Sequence, residues 1–494
     1  MSKLIRLFCT FFFALLLNAC KHQPSQIVAP VTDDKYPPAI SKIMITKCAT
    51  AGCHNAASYQ TSGGGLLLDS WEHLLDGGNT GAAIVAFSPE NSPMLYFTNA
   101  HEDFGPIPPD NMKMPLNNPP LSREEYLELK NWVMNGAPDK DGNIPFASNE
   151  ATRQKIYLAH QGCDFVSVID AEKNVVMRYI PVGDQVTIET AYAIKTATNG
   201  FAYLNLWANE IIQKIDTKTD KVVDAISIGF PNSNVLHVSK TGSEILASNI
   251  FLNSLLRINT ASGQVTNISS NSALSSPHGI AATSDLNTIY VTEQYGNTVH
   301  KITGGTSTKK ISIDGKPPHT QASGPNPYNI IFSPDYSRYF ITCQNSNEVR
   351  VMDANTDTLI KTISVGITPQ EMSIAQTKPY LFVSCMNDVS SIPIFKGSVY
   401  IINYNTYEIV AKITDRFYMP HALAVDDVHA KLFVFSRNID PDGPVPHHNS
   451  SVCEGRNGYY SVYDFHKLQP LNNKRYEVTI DPFAADVRFN RVGR

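Results

Sequence analysis

From Lys155 onward the chain alternates apolar and polar positions in short runs. In "KIYLAHQGCDFVSVIDAEKNVVMRYIPVG" a β-branched run, a turn, a second alternating run, a turn on "AEKN" and a third run follow one another. The phrase returns as "AYLNLWANEIIQKIDTKTDKVVDAISIG", "IYVTEQYGNTVHKITGGTSTKKISI" and "YFITCQNSNEVRVMDANTDTLIKTISVG", and seven copies can be counted. Between copies stands a fourth strand with a recurrent opening, seen in "SPHGIAAT", "NPYNIIFS", "TPQEMSIA" and "MPHALAVD". Four short strands per unit, at a period in the forties, predict an all-β seven-bladed propeller over 153–494. Its first copy begins inside a unit at "IYLAH". The final "PFAADVRFN" reads as the innermost strand of that same blade, so the last strand closes the ring beside the first copy.

The pattern upstream is different. "AISKIMITKC" places Ile40, Ile43, Met44 and Cys48 on one side of a helix. "SREEYLELKNWVMNGAP" is a stronger helix: Ser122 caps it, Glu125 stands three residues on, Leu127, Trp132 and Val133 form an apolar face, and Gly136 with Pro138 ends it. Gly- and Pro-rich loops lie between. The expectation is a small, mostly α domain over 39–145, joined to the propeller by a polar linker.

At the start, "MSKLIRLFCTFFFALLLNAC" has a basic opening and an apolar run from Leu7 to Leu17, too short to span a bilayer and of the length of a signal-peptide core. It resembles a bacterial lipoprotein signal with Leu17-Asn18-Ala19-Cys20 as the lipobox. That resemblance implies a leader over 1–19, lipidation of Cys20, and anchoring at the outer membrane or cell surface. An ordinary secretory signal is the alternative. Residues 20–38, rich in Pro and polar side chains, read as a tether.

Composition adds little beyond an ordinary globular class, but charge excludes one function. Removing Lys3 and Arg6 with the leader takes the formal net charge from −5 to −7, and no basic run stands out, so a nucleic-acid partner is not expected.

The chemistry sits in "ITKCATAGCHNAAS", which brings Cys48, Cys53 and His54 together in a chain with eight cysteines. Covalent haem attachment needs two thiols for the two vinyl groups on one porphyrin edge and a histidine directly after the second to reach the iron. The common spacing is C-x-x-C-H; here two extra residues lengthen the loop, and Gly52 eases its turn. A Cys48–Cys53 disulfide and a zinc site are the alternatives, the latter without a second Cys/His pair at finger spacing.

The stretch "KCATAGCHN", followed by "GGGLLLDSWEHLLDGGNTGAAIV", "SPENSPMLYF", "MKMP" and the final helix, resembles the planctomycete-type cytochrome c modules of bacterial envelopes. The resemblance implies one covalent haem c, with His54 as one axial ligand and the methionine of a Met-Pro pair as the other. Met114, before Pro115, matches that position, and Met112 stands two residues away. A Met/His pair fills both axial positions and suits electron transfer. His73 and His101 are fallback ligands or surface residues.

The propeller copies resemble YVTN repeats of bacterial surface proteins, most clearly at "IYVTEQYGNTVHKI". The openings of the innermost strands carry Tyr192, Asn234, His278, Tyr328, Gln370, His421 and a small residue near Ala484. These should cluster at one channel mouth, where His278 and His421 could face each other in a metal or small-molecule site, or simply pack. The last blade is interrupted by "NIDPDGPVPHHNSSVCEGRNGYY"; its His447, His448 and Cys453 invite a metal reading or a plain loop. Cys163 and Cys453 belong to blades that adjoin on closure and are expected to pair, while Cys343 and Cys385 stay free and buried.

The expected function is therefore that of a membrane-anchored monohaem cytochrome that passes electrons to a redox partner protein, with the propeller for docking or substrate positioning. Two alternatives remain: a propeller oxidoreductase with its own active site that uses the cytochrome as electron exit, and a surface binding or adhesion propeller.

Overall fold

The computed structural model of the chain describes residues 33–147, 152–269, 274–305, 307–448 and 452–488. The expected leader and Cys20 lie outside the described residues, as does most of the expected tether. Among the described residues no helix is long and apolar enough to cross a membrane.

The first 115 of these residues hold less helix than the sequence suggested. Four α-helices are present, Pro38–Ile43, Trp71–Leu74, Pro93–Thr98 and Arg123–Met134, and only the last exceeds six residues. The domain is loop-rich rather than mostly α, and glycines and prolines are frequent in the segments between its helices. The long helix forms as its sequence dictates. Ser122 Oγ accepts from the Glu125 backbone and Glu125 returns to the Ser122 N–H, a reciprocal cap that satisfies two end groups. Its buried face is Tyr126, Leu129, Trp132 and Val133, while Leu127 is only half-buried. That face packs on Ile40, Ile43 and Met44 of the first helix, with Leu68, Trp71 and Leu74 completing the core.

The propeller has seven antiparallel sheets. In the blade of Lys155–His160, Phe165–Asp170 and Val175–Pro181, the innermost strand is Pro482–Val487, so the C-terminal strand closes the ring onto the first copy. A backbone device repeats at every innermost strand. The residue just before it has positive φ in all seven blades (Thr190, Asn232, Ser276, Asn326, Thr368, Met419 and Asp481). All seven innermost strands then carry a register shift next to their second residue.

Side chains on the second strand lock each blade to the next. Asn205 Nδ2 donates to the Asn234 carbonyl (3.1 Å), and hydroxyls do the same from Ser248 to His278 (2.9 Å), Thr292 to Tyr328 (2.9 Å), Thr342 to Gln370 (2.8 Å) and Ser384 to His421 (2.8 Å). The equivalent residues flanking the seam are Ala159 and Phe435, both apolar. There the ring is held instead by the Cys163–Cys453 disulfide, with Cα atoms 5.6 Å apart, and by Arg437, which donates to both oxygens of Asp481 and to Gln161. A buried ion pair and a hydrogen bond join the first blade to the second: Lys155 and Tyr157 of the first both donate to Asp220 of the second, at 2.7 and 2.6 Å.

The small domain rests on the seam blades. Thr80 and Asn79 accept backbone hydrogen bonds from Glu477 and Arg475 at 2.9 and 3.0 Å, and Lys173 pairs with Asp76. Val85 joins the propeller core formed by Ile156, Leu158, Tyr460 and Tyr476, so apolar burial crosses the junction.

Candidate functional site

After the first helix the chain tightens into a π-turn over Met44–Cys48, and the Ala49 N–H returns to the Met44 carbonyl. The seven residues Cys48 to His54 then form a closed loop: the His54 N–H reaches the Cys48 carbonyl (3.2 Å) and the Cys53 N–H reaches that of Thr50 (3.1 Å). Gly52 takes φ +81°, the left-handed turn that the lengthened spacing requires. Cys48 and Cys53 are separate, half-buried thiols. Burial pushes the Cys48 thiol up to about 12 and the charge of Cys53 adds in the same direction, which puts the two sulfurs within electrostatic reach.

His54 is oriented by the backbone. Its Nδ1 lies 3.1 Å from the Leu66 carbonyl and donates to it, which fixes the tautomer and leaves Nε2 as the free lone pair. The segment that supplies this carbonyl packs tightly: a Cβ on Gly63 would sit 2.7 Å from the Cys53 oxygen and 2.8 Å from the Tyr59 Cα. Lys47, beside Cys48, donates to Glu125 at 2.6 Å and so ties the loop to the cap of the long helix.

Met114 is half-buried, and its N–H donates to the Phe97 carbonyl at 2.7 Å; Met112 is also half-buried, its N–H on the Pro109 carbonyl. The fallback histidines are engaged elsewhere, His73 with Asp69 (2.6 Å) and His101 with the Leu121 carbonyl (3.3 Å). Two thiols in one hydrogen-bonded loop, followed by an imidazole with Nδ1 engaged and Nε2 open, form a donor set that fits haem c.

At the propeller mouth the innermost strands bring Tyr192, Asn234, His278, Tyr328, Gln370 and His421 together with Phe483 as the seventh member. The sequence had suggested a small residue near Ala484; the positive φ at Asp481 aligns Pro482 with the prolines of the other blades and so puts Phe483 in the ring. His278 stacks on Tyr328 (3.9 Å between centroids) and His421 on Phe483 (4.0 Å), each with Nδ1 on a backbone carbonyl. Burial pulls them down to about 4 and about 3, so both are neutral at pH 7. Among the described residues no group of three His, Cys, Asp or Glu could hold a metal ion.

His447 and His448 lie in the loop that interrupts the last blade, as the second of the two readings had it. They pack on the small domain, His447 against Phe97 (4.6 Å) and His448 stacked on Tyr96 (5.9 Å). Cys343 and Cys385 are free and buried.

Residues 51–111 match the planctomycete cytochrome C family. The match includes Cys53 and His54; Cys48, Met112 and Met114 fall just outside its ends. The chain is thus a cytochrome c-like domain followed by a seven-bladed propeller, and the family implies haem c as cofactor. No curated protein matches the sequence. Among solved structures, Kuenenia stuttgartiensis hydrazine synthase aligns with TM-score 0.47 and 13% identity, covering 60% of this chain and 90% of that one. Virginiamycin B lyase from Staphylococcus aureus gives 0.45 and 14%, over 57% and 87%. A functionally unknown protein from Desulfotomaculum acetoxidans gives 0.48 and 12%, over 66% and 99%.

Proposed function

We propose that this protein is a monohaem c-type electron-transfer protein of the cell envelope, anchored through lipid on Cys20, with its propeller as the surface that docks a redox partner protein. The observation that carries the reading is the His54 Nδ1 contact to the Leu66 carbonyl in a loop that also holds Cys48 and Cys53. Haem c, when bound, supplies a one-electron couple. The chain's own residues do the rest. Cys48 and Cys53 hold the porphyrin edge, His54 presents Nε2, and Leu66 keeps that ring from turning. Met114 would hold the group beside His54, through a thioether that would favour the reduced state relative to a second imidazole. With His54 and Met114 both holding the group, no protein-free position would be left for substrate, and the reading is electron transfer.

The seam gives the propeller a part in this arrangement. Met114 is tied through the Phe97 carbonyl to a residue whose ring packs on His447, so the loop of the second ligand is braced by the seventh blade. The testing experiment is an anaerobic optical redox titration of the chain, made in a host with haem-attachment machinery. A single one-electron wave, absent from the Cys48→Ala/Cys53→Ala variant, supports the reading; a chain with no redox-active chromophore overturns it.

A further inference from the structure

Behind the aromatic ring at its mouth, the propeller channel contains a cavity of about 250 Å³. At roughly 30 Å³ per water it holds about eight waters, or one molecule of about ten non-hydrogen atoms. Three polar groups on its wall are left over by the fold. His278 is 3% exposed, and with Nδ1 donating to the Tyr328 carbonyl (3.2 Å) its neutral ring offers Nε2 as an acceptor. That nitrogen is buried with no hydrogen-bond partner, a condition rare enough in folded proteins to call for one.

Glu371 takes one bond from the chain, 2.7 Å from Asn329 Nδ2. Burial pushes its carboxyl up to about 7, with the Lys195 ammonium pulling the other way, so the two are within electrostatic reach. Lys195 lines the same cavity from the second blade, and its ammonium makes no hydrogen bond or ion pair within 4 Å of another described residue. Its neighbour Asp486 is engaged with the Thr196 N–H and hydroxyl, both at 2.7 Å. An ammonium with no direct ion pair, a carboxyl and an unfilled acceptor line one channel cavity, which is the composition of a ligand site rather than of a packed core.

We propose that the propeller channel binds a small carboxylic acid that also carries a hydroxyl or amino group, its carboxylate on Lys195 and its donor group on Glu371 and His278 Nε2. The tyrosine hydroxyl of Tyr328, 3.5 Å from His421 Nε2, belongs to the floor of the site. The site stands apart from the haem loop and does not depend on that assignment.

The test is isothermal titration of the full chain with glycerate and with serine, against glycerol, which lacks the carboxylate, and butyrate, which lacks the donor. Binding of glycerate or serine with at least about tenfold preference over both controls is expected, together with a loss of about tenfold or more in Lys195→Met. Glu371→Gln, which keeps the shape of the side chain, should weaken serine more than butyrate. The proposal is overturned if neither probe binds, if glycerol or butyrate binds as well as they do, or if Lys195→Met leaves binding unchanged; circular dichroism of each variant shows that it is folded.

Discussion

The ring of Phe97 lies 4.6 Å from that of His447, and the carbonyl of the same Phe97 accepts the N–H of Met114 at 2.7 Å. One residue therefore links the proposed ligand loop to the seventh blade. Val85, in a core shared with Ile156 and Tyr476, links the two domains a second time. The wild-type chain should unfold in one calorimetric transition. Val85→Asp, which buries a carboxylate in that core, should split it into two, with the propeller transition the higher of the pair.

Met114 and Met112 make different predictions. Met114→Ala should abolish the weak near-infrared charge-transfer band of a methionine-ligated ferric haem and lower the midpoint potential; Met112→Ala should leave both in place. The reverse pattern would move the second ligand to Met112.

Gly63 tests how tightly the attachment loop is held. Its φ is ordinary, so the objection to alanine is space: the new methyl would press on the Cys53 carbonyl and the Tyr59 backbone. Gly63→Ala should destabilise the small domain by roughly 1–3 kcal/mol and reduce haem retention, read by thermal unfolding and by the ratio of haem to protein absorbance.

The buried histidines set an acid limit. Burial holds His160 and His421 at about 3 and His278 and His448 at about 4, all below the usual 6.5. Between those values the unfolded chain binds protons that the native chain does not, so stability is full above pH 6.5 and falls as pH drops toward 4. Glu371, raised to about 7, works in the opposite sense: its share is full below the usual 4.5 and is lost as pH rises through 7. Urea unfolding should show the acid decline in the wild type. Glu371→Gln should gain on the order of 2–3 kcal/mol relative to wild type at pH 8 and little at pH 5.

The seam disulfide closes a loop of 290 residues. Cys163→Ala/Cys453→Ala should lose roughly 2–5 kcal/mol, whereas Cys343→Ala, away from the seam, should lose only the packing of one buried thiol. Equal losses in the two would deny the seam its special role.

Most of the propeller could be read from the sequence because each blade repeats one alternating phrase, and repetition converts a weak local signal into a strong one. The closing strand was legible for the same reason. Phe483 was missed because ring membership depends on a backbone turn at Asp481 that no side-chain pattern announces. In the small domain, the helix from Arg123 was marked by Ser122 and Glu125 and the first helix by the spacing of Ile40, Ile43 and Met44, whereas the helix content of the whole domain was overstated because the Gly- and Pro-rich connections make up most of it. Cys48, Cys53 and His54 stood out as residue types. Leu66 did not, since its contribution is a carbonyl, and Gly63 matters only for the atoms it allows to approach. His447 and His448 looked like metal ligands because their packing partners, Tyr96 and Phe97, lie some 350 residues away in the chain.

The central claim is most directly tested by the intact mass of the purified chain under denaturing conditions, followed by peptide mapping. The account predicts one haem that stays with the chain and maps to a peptide containing both Cys48 and Cys53. A mass equal to that of the bare polypeptide, after expression with haem-attachment machinery, would contradict it.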